Sequence, residues 1–260
     1  MAPMITVTNQ KVAGFVPQWA PFRGFSVLFD SSEASLQGGS PRQLACDLDG
    51  DPALGFYRAL RNSLASLDLR VLTHTYLFCP LPTPSYHVTV WDGANDGNLN
   101  NVTIDQRQHV EQLLNDVAGA ICQPHPLVSA VAESELVQRR DWQIQFRFNR
   151  LQLVGRNVLV AELAPADDDA TARIPELVAA RGALSAAIRP IYGINPYERY
   201  WPHVSLGYFA NRELAQMATP CVPLWDAIFQ ERLASQILTF TSASVYGFSD
   251  MATFFTTAVR

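Results

Sequence analysis

The sequence predicts an α+β fold with antiparallel sheets. Segments with the two-residue alternation of strands are mixed with segments at helical spacing. Several strand-like segments follow one another directly, which is typical of antiparallel pairing. The chain has 260 residues, of which 48% are hydrophobic and 17% are charged. That length and composition suffice for a large core, and we expect one two-lobed domain over residues 1–260.

The expected elements follow from spacing and from turn residues. Leu54, Leu60 and Leu64 recur at helical spacing and predict a helix over 53–68. Further helices are expected at 105–122, 168–189, 211–217 and 223–235, and strands at 71–78, 86–91, 142–153, 157–163, 203–209, 236–248 and 252–260. Gly155-Arg156-Asn157 predicts a hairpin turn, and Pro190 is expected to end the helix before it.

Charge and composition restrict the classes of partner. The formal net charge is −5, whereas proteins that hold long duplex nucleic acid usually present a basic face. We therefore expect no binding to duplex DNA, although a nucleotide or short oligonucleotide still fits a local pocket. The basic residues are Lys11 and otherwise arginine only. Arginine binds phosphate through a planar fork, but a GC-rich genome would enrich it as well.

The compartment is predicted from the cysteines and from the distribution of apolar residues. The four cysteines are scattered and form no C-x-x-C pair, which is typical of buried thiols in a reducing compartment. The segment 1–9 does not resemble a signal peptide. No stretch reaches the ~18 apolar residues that a membrane span needs. We expect a cytoplasmic protein without membrane association, and a monomer.

Two histidines carry a hydroxyl residue two places on. They form the motifs His87-Val88-Thr89-Val90 and His203-Val204-Ser205-Leu206, each within strand-like sequence. Because side chains alternate faces along a strand, the histidine and the hydroxyl residue of each motif should share one face, ~7 Å apart, while the aliphatic residues point into the core. A histidine and a hydroxyl would then stand side by side on each of two strands.

This pattern suits the cleavage of a phosphodiester. A base must activate the attacking oxygen and an acid must protonate the leaving oxygen, and the near-neutral pKa of histidine allows it either role. The charge that develops on the phosphoryl oxygens needs fixed donors. Thr89 and Ser205 can supply them.

At these two motifs the chain resembles the 2H phosphoesterase superfamily, which is defined by two H-x-[ST]-x motifs on paired strands of two pseudo-symmetric lobes. The superfamily includes RNA 2',5'-ligase-like proteins, cyclic phosphodiesterases and 2',5'-oligoadenylate phosphodiesterases. Residues 201–207, WPHVSLG, match its second motif closely. The resemblance extends in pattern over about 70–260, and an insert at 92–135 would explain the wide spacing of the motifs. Residues 1–65 have no counterpart and are expected to pack on the domain as an extension.

The resemblance implies a fold, a chemistry and a set of residues. The fold would have antiparallel sheets flanking a central cleft, with helices outside. His87 and His203 would be the acid/base pair of a metal-independent phosphodiesterase, and Thr89 and Ser205 would bind phosphate oxygens. The substrate would be a nucleotide or short RNA end, with a 2',3'-cyclic phosphate or a 2',5' linkage. No cofactor and no metal are expected.

Three further residues are candidates for contact with substrate. Trp91 shares the strand parity of His87 and has a ring on which a base can stack. Arg147 lies on the polar face of the strand 142–153, where it can meet a phosphate. Tyr200 precedes the second motif directly. Each of these residues is equally compatible with packing or with a solvated sheet face, and Tyr208 has the parity of a core residue.

Other interpretations of the two motifs stay open. The histidines can be structural residues, or they can share a metal, although no acidic or cysteine ligand stands at a metal-like spacing beside them. A chain that has lost catalysis would bind a nucleotide or RNA without cleaving it. A ligase running the reaction in reverse would need a basic surface around the cleft.

Overall fold

Ten strands and eight α-helices make up the part of the chain that the computed structural model describes, namely residues 6–14, 18–30, 42–43, 50–123, 125–155, 157–196 and 199–256. The strands are β1 (Gly24–Phe29), β2 (Arg42–Gln43), β3 (Phe78–Pro80), β4 (Thr89–Asn95), β5 (Ile144–Val154), β6 (Val158–Pro165), β7 (His203–Phe209), β8 (Ile237–Phe240), β9 (Ala243–Phe248) and β10 (Phe254–Thr256). The helices are α1 (Gly55–Ser66), α2 (Ile104–Asn115), α3 (Val117–Cys122), α4 (Pro126–Ala132), α5 (Glu135–Gln138), α6 (Asp168–Tyr192), α7 (Arg212–Ala218) and α8 (Val222–Leu233).

The strands form two five-stranded sheets in which every pairing is antiparallel. The order in the first sheet is β2-β10-β9-β1-β4, and the order in the second sheet is β3-β7-β6-β5-β8. The predicted α+β class with antiparallel sheets is therefore confirmed. The two motif strands fall in different sheets, with β4 at an edge of the first and β7 inside the second.

Aromatic side chains join the two sheets through a shared core. Phe29 of β1 stacks on Phe240 of β8 with ring centroids 4.5 Å apart, and it also contacts Phe146 of β5 at 6.2 Å. All three rings are buried. Large aromatic surfaces contribute strongly to burial energy, and offset pairs gain somewhat more. These contacts hold the sheets against each other at one end of the molecule.

The longest helix, α6, is bounded by residues suited to its two ends. The Asp167 side chain accepts a hydrogen bond from the Ala170 N–H at 2.7 Å, and Gly193 follows the helix with a φ of 73°. The prediction that Pro190 ends this helix is wrong. Pro190 lies in the last turn, where its missing N–H removes only one hydrogen bond, and the helix continues to Tyr192. No helix among the described residues has the length and apolar character needed to cross a bilayer.

The segment 71–78 differs from its prediction as a strand. Val71–Thr75 forms a π-helical turn, and only Phe78–Pro80 is extended. The Asp68 side chain accepts a hydrogen bond from the Val71 N–H at 3.1 Å, and the Thr73 hydroxyl donates to the Leu69 carbonyl at 2.7 Å. Such local bonds compete with a strand ladder in a way that hydrophobic alternation does not reveal.

The carboxyl-terminal half otherwise follows the predicted order. The hairpin of β5 and β6 is confirmed, with Gly155 at a φ of 55°, while Arg156 of its turn lies outside the described residues. The predicted strand 236–248 is divided into β8 and β9. Of 252–260, only Phe254–Thr256 is a strand, and 257–260 lie outside the described residues.

An amino-terminal segment, residues 6–14, lies against the end of β7. The backbone N–H groups of Thr8 and Asn9 both donate to the Ala210 carbonyl, at 2.9 and 3.0 Å. The buried Asn9 amide donates to the Phe209 carbonyl at 2.9 Å. These bonds bring Lys11, which follows two residues later, over the face of the second sheet.

Candidate functional site

The two motifs present their polar residues as predicted. His87, Thr89, His203 and Ser205 are partly exposed and are called the histidine cluster below. The aliphatic residues between them are buried, namely Val88, Val90, Val204 and Leu206. His203 begins β7, whereas His87 lies just before β4 and not within it. The alternation of faces in both motifs is therefore confirmed.

Both imidazoles are oriented by the same local hydrogen bond. Nδ1 of His87 lies 2.7 Å from the Ser85 carbonyl, and Nδ1 of His203 lies 3.0 Å from the Trp201 carbonyl. Each carbonyl belongs to the residue two positions earlier. Because a carbonyl only accepts, Nδ1 must carry a hydrogen in both rings. The neutral form of each histidine therefore has its lone pair on Nε2, where it can accept or return a proton.

The two histidines lie close enough to influence each other. Burial, with smaller contributions from a protonated His203 and from Lys11, lowers the pKa of His87 to about 4, against the opposing hydrogen bond to Ser85. Burial also lowers the pKa of His203, while the carboxylates of Asp92 and Glu162 act in the opposite direction. Two like charges in one low-dielectric site disfavour each other. The fold thus places His87 near His203, although the two residues are 116 positions apart in the sequence.

Different rings pack against the two imidazoles. His87 contacts Phe254 of β10, with centroids 4.5 Å apart. His203 lies on the indole of Trp201 at 4.5 Å, with the planes inclined by 29°. His87 therefore has an apolar neighbour, whereas His203 has a neighbour whose indole N–H bonds to Glu162.

Glu162 holds Trp201 in place from the adjacent strand β6. Glu162 pairs with His203 in the ladder. Its carboxylate also accepts bonds from Arg150 at 2.7 Å and from Asn149 at 3.3 Å. Burial, the largest influence, raises the pKa of Glu162, but the bonds from Arg150 and Trp201 bring it below its ordinary value. Glu162 is therefore a carboxylate at neutral pH, next to the ring that packs on His203.

A register shift in β4 changes which residues face the histidine cluster. Relative to β1, the register of β4 shifts at two places, and the shift next to Thr89 is caused by one extra residue, Val90. Thr89 and Asp92 consequently pair with residues of β1 that are two positions apart, so their side chains share a face. Asp92, and not Trp91, occupies the place next to Thr89 on that face.

Trp91 consequently points into the core, and its prediction as a substrate contact is wrong. Its side chain has no exposed surface. The indole packs against Phe25 at 6.4 Å and donates to Ser185 Oγ at 3.0 Å. Side chains alternate faces regularly only along an uninterrupted strand, and the extra residue at Val90 interrupts β4.

A matching register shift occurs in β7. Relative to β6, the strand contains one extra residue at Leu206, and Ser205 and Tyr208 pair with residues two positions apart. Tyr208 is buried in the core, as predicted, but it shares the face of Ser205 and does not have the opposite parity. It is buried on that face, where its hydroxyl donates to Met251 Sδ and accepts from Lys11 Nζ, each at 3.5 Å. Both motifs thus have the extra residue directly after the hydroxyl residue.

Asp92 is a further residue of the site that the motifs did not indicate. Its side chain is exposed to solvent, yet burial raises its pKa, against the opposing influence of His203, Lys11 and Arg181. Because Asp92 and His203 influence each other's pKa, the carboxylate lies near the histidine cluster.

Lys11 is a second residue of the site that the motifs did not indicate. Its ammonium lies over the rings of Phe22 and Tyr208, 4.8 and 5.0 Å from their centroids. Its charge acts on both histidines and on Asp92. Lys11 stands out in the sequence as the only lysine. No sequence pattern around it connects it with either histidine motif.

Tyr200 and Arg147 lie at the periphery. The Tyr200 ring packs on the guanidinium of Arg181 at 4.8 Å, and its hydroxyl is buried without a hydrogen-bond partner among the described residues. Burial raises the pKa of Tyr200 well above its ordinary value. Arg147 is exposed on β5, two strands away from β7, and its register with β6 places it on the face that carries Glu162. The fold does not bring either residue into the histidine cluster.

The arrangement combines groups that can transfer a proton with groups that can donate hydrogen bonds. Each histidine offers Nε2, and Thr89 and Ser205 offer hydroxyl donors beside them. Among the described residues, no group of three or more histidine, cysteine, aspartate or glutamate side chains is placed to hold a metal ion.

Comparison with known proteins identifies a similar fold. No family model and no curated protein matches this chain. A solved structure described as a conserved protein of unknown function, ATU0111 from Agrobacterium tumefaciens str. C58, is similar, with a TM-score of 0.56 over 95% of this chain and 90% of the other. The two sequences are 15% identical. At this identity the likeness concerns the fold alone.

Proposed function

We propose that this protein is a phosphodiesterase of the 2H phosphoesterase type, acting on a nucleotide or short RNA end by two-histidine acid/base catalysis. The observation that carries the proposal is the matched geometry of His87 and His203. Each has Nδ1 bound to the carbonyl two residues earlier and a hydroxyl residue two positions later. One structural histidine can have such a bond, but two neighbouring histidines with the same bond suit a paired acid and base.

The proposal assigns different roles to the two histidines. His87, which packs on Phe254, has the lower tendency to hold a proton and serves as the base. His203 lies near the carboxylates of Asp92 and Glu162, which favour its protonated form, and serves as the acid. Unequal surroundings that separate the pKa values of two titratable groups are how enzymes divide these roles.

For a 2',3'-cyclic phosphate the proposed step is a hydrolysis. Water attacks phosphorus, and Nε2 of His87 takes its proton. The bond from phosphorus to one ribose oxygen breaks, and Nε2 of His203 donates its proton to that oxygen, which leaves a phosphomonoester. Thr89 and Ser205 donate hydrogen bonds to the phosphoryl oxygens, where charge develops. Proton exchange with solvent then restores both histidines.

The test uses the purified protein with EDTA present. A panel of 2',3'-cyclic nucleotides, 2',5'-oligoadenylates and cyclic oligonucleotides is incubated with wild type, His87→Ala and His203→Ala, and products are resolved by mass. We expect turnover that survives EDTA and falls by ~10² or more in both variants. Arg232→Ala, an exposed change on α8, serves as a matched control.

The outcomes separate catalysis from binding alone. Turnover that persists in both histidine variants would contradict the mechanism. If the wild type converts no member of the panel while nucleotides raise its melting temperature, the protein is a nucleotide-binding member of this type without catalytic activity.

A further inference from the structure

A polar cavity of about 310 Å³ lies beyond the histidine cluster. Of the described residues that line it, two are cationic, none is acidic, and most are polar. Those that bear on a ligand are Asn9, Gln10, Lys11, Asn157, Tyr208 and Arg212. In a chain whose net charge is −5, a cavity lined in this way is a local site for an anion.

The cavity lies on the face of the second sheet that carries Ser205. Tyr208 shares that face because of the extra residue at Leu206, and its ladder partner Val158 also lines the cavity. Because Leu206 is an extra residue, Ser205 and Tyr208 pair with residues of β6 that are two positions apart, which is ~7 Å along a strand. One extended nucleotide bridges such a span between successive phosphates. The cavity is therefore a continuation of the histidine cluster along β7.

Lys11 stands between the two regions. Its ammonium donates to the Tyr208 hydroxyl at 3.5 Å at the cavity, and its charge reaches His87 and His203. Its position is set by the amino-terminal segment, since the Lys11 N–H donates to Asn9 Oδ1 at 3.1 Å and Asn9 is bonded to β7. Arg212 is exposed on the far side of the cavity.

We propose that this cavity binds a second phosphate of the substrate, held by Lys11 and Arg212, so that the preferred substrate is the end of an oligonucleotide and not a single cyclic nucleotide. The proposal rests on the proposed function, which places the reacting phosphate at the histidine cluster. Arginine binds phosphate oxygens through its fork, and lysine adds a point charge. The amides of Gln10 and Asn157 offer further donors.

The test changes only the charge of the second phosphate. Two dinucleotides that end in a 2',3'-cyclic phosphate are compared, one with an ordinary phosphodiester linkage and one with a neutral methylphosphonate linkage. We expect the wild type to prefer the charged linkage in kcat/KM by about tenfold or more, as loss of a charged hydrogen bond implies. Arg212→Gln and Lys11→Gln should reduce this ratio, whereas Arg232→Gln should leave it unchanged.

A binding measurement distinguishes failure of this proposal from failure of the proposed function. Equilibrium binding of the corresponding 3'-phosphorylated dinucleotides, with charged and neutral linkages, is measured for wild type and Arg212→Gln after their folding is checked by circular dichroism. Turnover without preference for the charged linkage would overturn the cavity assignment and leave the proposed function intact. A charge preference in binding, lost in Arg212→Gln, would support the cavity even without turnover. Absence of preference in both measurements, or no binding, would overturn it.

Discussion

His87 and His203 share one local hydrogen bond but differ in the charges around them. A carbonyl fixes Nδ1 of each ring. Burial lowers the pKa of both, yet only His203 has the carboxylates of Asp92 and Glu162 as opposing influences. At the scale of the residue, an asymmetric acid/base pair therefore results from neighbours and not from the motifs, which are nearly identical.

This asymmetry predicts the pH dependence of kcat/KM. The reaction needs His87 neutral and His203 protonated, so activity should rise above a pKa of about 4 and fall as pH passes the pKa of His203, which is below 6.5. We expect a bell-shaped profile of kcat/KM with its optimum on the acid side of neutrality. Steady-state measurement of kcat/KM between about pH 3.5 and 8 checks this expectation, because that range includes the acid limb of His87 and the alkaline limb of His203.

The substitution Asp92→Asn tests whether this carboxylate raises the pKa of His203. Removing the negative charge removes an influence that raises the pKa of His203, so the alkaline limb should move to lower pH. The acid limb should stay in place, because Asp92 is not among the charges that act on His87. An alkaline limb that does not move, in a variant that folds normally, would contradict the role given to this carboxylate.

At the scale of the element, the extra residue directly after the hydroxyl residue of each motif decides which side chains join it on its face. Val90 in β4 turns Trp91 into the core and Asp92 outward, and Leu206 in β7 brings Tyr208 to the face of Ser205. Such bulges interrupt the ladder and leave backbone groups without ladder partners. The buried Arg181 of α6 supplies a partner, since its Nε donates to the Val90 carbonyl.

Arg181→Met should therefore destabilise the protein. The substitution keeps much of the side-chain volume but leaves the Val90 carbonyl without this donor and removes the cation from the Tyr200 ring. We expect the free energy of unfolding in urea to fall by ~2 kcal/mol. Arg232→Met, on the exposed face of α8, should change it by less than ~0.5 kcal/mol. An equal effect of the two substitutions would show that Arg181 does not support the shifted strand.

At the scale of the whole molecule, the amino-terminal segment completes a site whose other residues come from both sheets. Asp92 belongs to the first sheet and His87 to the segment just before β4, whereas His203 belongs to the second sheet. Lys11 reaches them only because the segment is hydrogen-bonded across the end of β7. The segment that had no counterpart in the resemblance is thus part of the candidate site.

Asn9→Ala should loosen this attachment. It removes the buried bond to the Phe209 carbonyl and the acceptor for the Lys11 N–H. We expect a loss of ~1–2 kcal/mol in unfolding free energy and faster hydrogen exchange at the Thr8 and Asn9 amides. Gln10→Ala, an exposed neighbour, is the control and should leave the exchange of these amides unchanged. Unaltered exchange in Asn9→Ala would mean that the backbone bonds alone hold the segment.

The sequence by itself determined the class of fold and the residues of the histidine cluster. Alternation of polar and apolar residues places His87 with Thr89, and His203 with Ser205, on the exposed face of their segments, and the structure agrees. Strand periodicity is a local property, so it can be derived wherever the ladder is regular.

Only the tertiary structure decided what surrounds those residues. The extra residues in β4 and β7 depend on pairing with β1 and β6, which no single strand reveals. The extra residue in β4 places Asp92, and not Trp91, on the face of Thr89. The turn at 71–75 depends on local side-chain bonds, and the place of Lys11 depends on contacts almost two hundred positions away in the chain, at Phe209 and Ala210. The extra residues and the place of Lys11 have a common physical reason. A local pattern records which face a side chain prefers, whereas register and long-range hydrogen bonds decide what it meets there.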